Sequence, residues 1–115
     1  MAALTIQEIV VAGAVPTYAA AAAGGDTFTP TVQQPHVLHV KNGGAGSINV
    51  VVDDPNSVNP GSATAFDPDI TVAVAAGAEK TIRVNYTRFR NTGTGVVSIT
   101  YSGVTSVTVG VFVMP

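Results

Sequence analysis

The sequence predicts an all-β protein: a small antiparallel β-sandwich, jelly-roll-like, with an extended Ala/Gly-rich arm at its N-terminal end. Three observations predict it. From Val37 onward Val and Thr dominate, apolar residues often alternate with polar ones, and clusters of Gly, Asn, Asp and Pro separate the runs. At least six such runs follow one another with no helical periodicity between them, which excludes a βαβ architecture. The chain has 115 residues, enough for one core and too few for two.

Taken in order, Thr5 to Val11 reads as a short additional strand. Between Gly13 and Thr31 five consecutive alanines stand between Pro16 and Gly24-Gly25. Alanine favours helix, but so short a run does not sustain one alone. An extended arm or a single turn docked on a neighbour is therefore expected. Residues 1–30 form the strand and arm, and 31–115 the sandwich core, of a single domain. His36 to Asn42 and Ser47 to Asp53 read as two strands joined by a glycine hairpin. Asp54 to Asp69 contains three prolines and no periodicity, so a long loop over one end of the fold is expected. Ile70 to Ala75 and Glu79 to Tyr86 read as the next pair, with Ile70, Val72 and Val74 on one face and Ile82, Val84 and Tyr86 on the facing strand. Arg88 to Gly95 punctuates. Val96 to Ser102 and Ser106 to Met114 make a final hairpin, with Val107, Val109, Val111 and Val113 sharing a face.

Composition narrows function. Only 10% of residues are charged while 46% are hydrophobic, and mean hydropathy is +0.38; an ordinary soluble domain carries ~25% charge. A small domain this neutral is expected to cover its surface with other protein, as an assembly component does. The net charge of −2 disfavours nucleic acid, whose phosphates require clustered Lys and Arg. The absence of Cys removes disulfide frameworks, thiolate zinc sites and thiol nucleophiles. With two His and no Trp, the chain predicts no enzyme and no cofactor. No Lys or Arg precedes Lys41, and Glu8, Pro16 and Tyr18 divide the apolar start, so neither an export signal nor a membrane span is expected, and synthesis is assigned to the cytoplasm.

Few side-chain constellations suggest chemistry. Asp53, Asp54, Asp67 and Asp69, with Asn56, could gather oxygens suited to calcium, but no calcium-loop consensus is present and Asp-Pro is ordinary turn composition; no metal is assigned. His36 and His39 lie on opposite faces of one strand without an adjacent acidic or cysteine partner, and take structural roles. Ser62, Ser98 and Ser102 lack a nucleophile-elbow setting. The Gly-rich turn at 42–46 opens no helix, as a phosphate cradle would. Asn85-Tyr86-Thr87 spells a glycosylation triplet with no export signal behind it. Arg88 and Arg90 flank Phe89, and on an extended segment both guanidinium groups point one way and the ring the other. A carboxylate-rich partner surface is one reading; pairing with the chain's own Asp loops is the simpler one. Tyr18, Phe28, Phe66, Arg88, Phe89 and Arg90 are the expected interface residues.

Four blocks carry a resemblance: Gly-Asp-Thr-Phe at 25–28, Leu-His-Val-Lys-Asn at 38–42, the stretch from Ile70 to Ile82, and that from Val97 to Val109. In this order, across most of residues 17–113, the chain resembles the small β-sandwich capsid proteins of tailed bacteriophages. The resemblance implies a protein of the virion that binds the exterior of the expanded shell and cements neighbouring copies of the phage major capsid protein. It also implies a homo-oligomer, a trimer at threefold positions above all. It carries no catalytic motif. A host-surface or glycan-binding β-sandwich module, or a tail or head-tail connector subunit, are the alternatives; stacking sugars would need aromatic platforms, and Tyr18, Phe66, Phe89 and Tyr101 are thin material for them.

Overall fold

The computed structural model describes residues 2–55, 69–91 and 93–114. Among the described residues ten strands form two sheets: β1 (Ala2–Ala3), β2 (Ile6–Glu8), β3 (Ala19–Ala20), β4 (Asp26–Phe28), β5 (His36–Asn42), β6 (Ile48–Val52), β7 (Ile70–Val74), β8 (Glu79–Val84), β9 (Val97–Tyr101) and β10 (Val107–Val113). The first sheet runs β1-β4-β9-β6-β7. The second runs β2-β10-β5-β8, with β3 also lying against β10. The protein is a small β-sandwich.

Period-2 alternation places the core. In β5 every even residue from His36 to Asn42 is buried and every odd one half-buried, so Leu38 and Val40 face the opposite sheet. Val107, Val109, Val111 and Val113 of β10 do the same, each at most 1% exposed. They meet Phe28, Val50, Val52, Val74, Val97 and Ile99 of the first sheet. Burying one such side chain fully contributes about 1.5–3 kcal/mol, and this layer, free of disulfides, holds the sheets together.

The strands fall close to their expected positions, but the pairing differs. Neither of the two expected hairpins forms, and the strands of the expected middle pair face each other across the core. β5 and β6, β7 and β8, and β9 and β10 lie in opposite sheets, so each short connection arches across the core. Partners come from further along the chain: β6 pairs with β7 and with β9, and β5 with β8 and β10, all antiparallel. The cause lies in the connections. At the end of β5 the buried Asn42 side chain donates from Nδ2 to the carbonyls of Gly46, Val74 and Ala75 at 2.9, 3.1 and 3.3 Å, and its Oδ1 accepts from Gly44 N–H at 3.0 Å. One amide thus ties the β5–β6 arch to the β7–β8 arch. Gly43 N–H adds a bond to Ser106 O at 2.9 Å, joining the third.

The segment between β8 and β9 is not wholly extended. Tyr86–Phe89 form a single helical turn, α1, and β8 ends at Val84, short of Tyr86. The alanine run is extended, as expected, and pairs with its own chain: β3 lies antiparallel to β10, and Ala21 N–H bonds Val107 O at 3.0 Å. The expected first strand is β2. It pairs with β10 in parallel, as β1 does with β4, so the N-terminal limb departs from the antiparallel pattern of the core. The ends of the long Pro-rich loop are tied, Asp54 N–H bonding Asp69 Oδ1 at 2.8 Å, while its residues 56–68 lie outside the described residues.

Candidate functional site

The polar side chains inside the sandwich support it. Gly25 adopts φ +94°, and a Cβ there would stand 2.6 Å from Ile99 O, so only glycine allows β4 to approach β9 this closely. Asp26 follows, fully buried, its Oδ2 accepting from Tyr101 Oη at 2.8 Å and from Ala22 N–H at 3.3 Å. Burial pushes the Tyr101 phenol well above its ordinary value, and the hydrogen bond and charge of Asp26 push the same way. His36 is buried beside the Phe28 ring, its Nδ1 bonded to Gln34 O at 2.9 Å. Burial holds its imidazole below the ordinary value, against the opposing pull of the Gln34 bond. Asp26 Oδ1 and His36 Nε2 are buried with no hydrogen-bond partner among the described residues.

The expected interface residues scatter. Phe28 and Phe89 are 1% and 4% exposed, so both rings pack into their own core and offer nothing to a partner; short strand β4 and helical turn α1, respectively, turn them inward. Arg88 does not share a face with Arg90 on an extended segment, because α1 intervenes. Its Nε donates to Asp54 Oδ2 at 3.0 Å and its guanidinium lies over the Phe89 ring, whereas Arg90 lies over Tyr86. The simpler reading, pairing with the chain's own Asp loop, holds for Arg88. Phe66 lies outside the described residues, as do Ser62, Asn56 and Asp67. Ser102 Oγ accepts from Asn49 N–H at 2.8 Å, a structural bond. Among the described residues no three His, Cys, Asp or Glu side chains gather where they could hold a metal ion, and no helix is long and apolar enough to cross a membrane.

Tyr18 is the expected residue that the structure brings to a surface site. Its hydroxyl donates to His39 Nδ1 at 2.7 Å, and His39 Nε2 lies 3.1 Å from Glu79 Oε1. A carboxylate there accepts, so Nε2 carries the ring proton. Lys41 Nζ sits 3.9 Å from the centre of the Tyr18 ring, and Phe112 packs beside it. This cluster pins the returning limb onto the outer face of the second sheet. A clasp fixes the limb further along: Gln7 Nε2 donates to Thr17 O at 2.7 Å, while Gln7 Oε1 accepts from Thr17 N–H at 2.8 Å and Thr17 Oγ1 at 3.1 Å.

Between clasp points the chain makes a projecting loop, turned at Gly13 (φ +88°) by a Gly13 N–H bond to Val10 O. No family model, curated protein or solved structure matches this chain. The site is therefore argued from its own geometry. The large hydrophobic side chains exposed among the described residues are Ile9, Val10, Val11, Val15 and Met114. All lie at this corner, since Ile9 N–H bonds Val113 O at 2.9 Å and so brings Met114 alongside. Beneath the loop, against Val37, Thr81 and Phe112 of the second sheet, lies a mainly apolar cavity of about 350 Å³. Residue-type reasoning missed Ile9, Val10, Val11 and Val15, although the chain carries no charged side chain between Glu8 and Asp26.

Proposed function

We propose that this protein is a non-enzymatic structural component of a tailed-phage virion that binds the exterior of the expanded capsid and cements neighbouring major-capsid subunits. The observation that carries the reading is the uncharged apolar corner of the N-terminal limb, on a chain whose charged fraction is only 10%. Exposed apolar area concentrated in one place marks a protein contact. The resemblance of residues 17–113 to phage β-sandwich capsid proteins supplies the identity of the partner. Homo-oligomers, trimers at threefold positions above all, are the arrangement that the resemblance implies.

The mechanism is linkage. A protein that binds the expanded lattice and not its unexpanded or disassembled form shifts the equilibrium toward the expanded lattice. Each contact can be weak, because copies spanning neighbouring subunits add through multivalency. A rigid sandwich suits this role, since little ordering entropy is lost on docking.

Co-sedimentation of the purified protein with expanded and unexpanded shells of the encoding virus, counting bound copies per major-capsid subunit, tests the proposal. Saturable binding to the expanded shell at a fixed lattice ratio is expected. Binding to neither shell would refute it and move the search to tails, connectors or host-surface ligands.

A further inference from the structure

The side chains that pin the limb are also arranged for chemistry. Tyr18 Oη donates to His39 Nδ1 at 2.7 Å, and His39 Nε2–H meets Glu79 Oε1 at 3.1 Å. A hydroxyl, a ring nitrogen able to take its proton and a carboxylate that fixes the tautomer thus stand in line, the arrangement that activates a nucleophile. The Lys41 ammonium, 3.9 Å from the centre of the Tyr18 ring, favours the negative charge that gathers on the phenol as its proton leaves. The other two tyrosines differ. Burial and the Asp26 charge hold Tyr101 in its protonated form, the Tyr86 ring lies under Arg90, and neither of the chain's two histidines bonds them. Tyr18 and His39 both line the cavity beneath the limb, beside Pro16, Val37 and Phe112. An apolar cavity of roughly 150 Å³ already accepts benzene, so about 350 Å³ has room for a short acyl chain next to the phenol.

We propose that Tyr18 is a covalent acylation site: with His39 as general base, its hydroxyl takes a short aliphatic acyl group from an activated aryl ester seated in the cavity. Tyr18 Oη attacks the ester carbonyl carbon while its proton passes to His39 Nδ1. The bond from that carbon to the aryl oxygen then breaks, the oxygen leaves with the bonding pair, and the proton held by His39 passes to it. Ester and tyrosine thereby become acyl-Tyr18 and a free phenol, with nothing oxidised or reduced. Glu79 is a positioning residue. It keeps the ring hydrogen on Nε2, so that Nδ1 stays open, and it supports the positive charge His39 carries during the transfer. The chemistry is a single modification and not turnover, so it stands apart from the capsid reading and is tested without a shell.

4-Nitrophenyl butyrate is the probe. In mildly alkaline buffer, intact mass and peptide mapping should find a single butyryl group on Tyr18, formed at a rate that saturates with ester, before any appears on Tyr86 or Tyr101. His39→Gln should lower the saturating rate about a hundredfold or more. Glu79→Gln should lower it by less and leave the half-saturating concentration unchanged, which a loosened limb would not do. Tyr18→Phe keeps the ring against Phe112 and Lys41 and should lose the label. Across acetyl, propionyl and butyryl esters the half-saturating concentration should fall about fourfold for each added CH2; no dependence on chain length would overturn the role of the cavity. Labelling of the wild type confined to lysines, or Tyr18 labelled no faster than Tyr86, would overturn the proposal without recourse to any variant. So would an unchanged rate in His39→Gln protein whose circular dichroism matches the wild type.

Discussion

Asn42 joins two of the three arches, and its replacement tests the account of why the strands arch rather than form hairpins. The residue is 2% exposed. Its two amide hydrogens serve the carbonyls of Gly46, Val74 and Ala75, and its Oδ1 takes the Gly44 N–H. Asn42→Ala removes all of these together. Each buried bond contributes about 1 kcal/mol net, with a further penalty for groups left without partners, so the loss should be about 3 kcal/mol. Near the midpoint, about 2.1 cal/mol/K per residue over 115 residues gives an unfolding entropy of about 0.24 kcal/mol/K. Tm should therefore fall by about 12 °C. Asn42→Asp is the sharper variant: it keeps an acceptor for Gly44 but turns oxygen toward three carbonyls, and should cost more than Ala. Urea denaturation and calorimetry read both. A Tm loss below about 3 °C for Ala, or an Asp variant more stable than Ala, would refute the role assigned to the side chain.

Three further outcomes follow from the buried groups. Gly25→Ala must adopt φ +94° with its Cβ 2.6 Å from Ile99 O, whereas Gly77→Ala, at φ +74°, has open space around it; urea midpoints should show a cost of about 1–2 kcal/mol at Gly77 and well above that at Gly25. Tyr101 keeps its proton in the fold at pH values where the unfolded chain, near 10.0, has lost it, so stability is complete below pH 10.0 and declines above it; Tyr101→Phe should lower stability by about 1–2 kcal/mol at neutral pH and flatten that alkaline decline. For His36 the sign reverses. Its lowered value means that the unfolded chain takes up a proton first as pH falls below 6.5, so stability is lost in that direction, and urea midpoints of His36→Phe should depend less on pH below 6.5.

Alternation told which residues face the core, and it did so nearly strand by strand: β5, β6, β8 and β10 bury the residues their period assigns. It could not tell which strands pair. Two strands joined by four or five residues show the same in-and-out pattern whether they lie side by side in one sheet or face each other across the core. What separates the cases is a long-range contact such as Asn42 to Val74, and no local pattern announces it. The same limit explains Phe28 and Phe89. Each sits in an element of only three or four residues, too short to display a period, so type alone suggested an anchor where burial made a core residue. Arg88 followed from the same assumption of extended backbone that α1 replaces.

The blocks carrying the resemblance and the residues holding the fold coincide. Gly25 and Asp26 lie in the first block, Asn42 closes the second, and Tyr101 lies in the fourth; the Asp26–Tyr101 bond ties neighbouring strands β4 and β9 of the first sheet, and the Asn42 amide ties two arches. Positions that meet backbone at 2.6 Å or serve several acceptors at once tolerate few alternatives, whatever the protein binds. The apolar corner is built otherwise. Ile9, Val10, Val11, Val15 and Met114 all fall outside residues 17–113, the first four on a limb whose own backbone pairings are short. Constraint on such a surface comes from the partner and not from the fold. Substitution should therefore divide the two properties: Val11→Asp should leave stability unchanged and weaken binding to the expanded shell, whereas Gly25→Ala should lower the urea midpoint and leave the exposed side chains of the corner chemically unchanged.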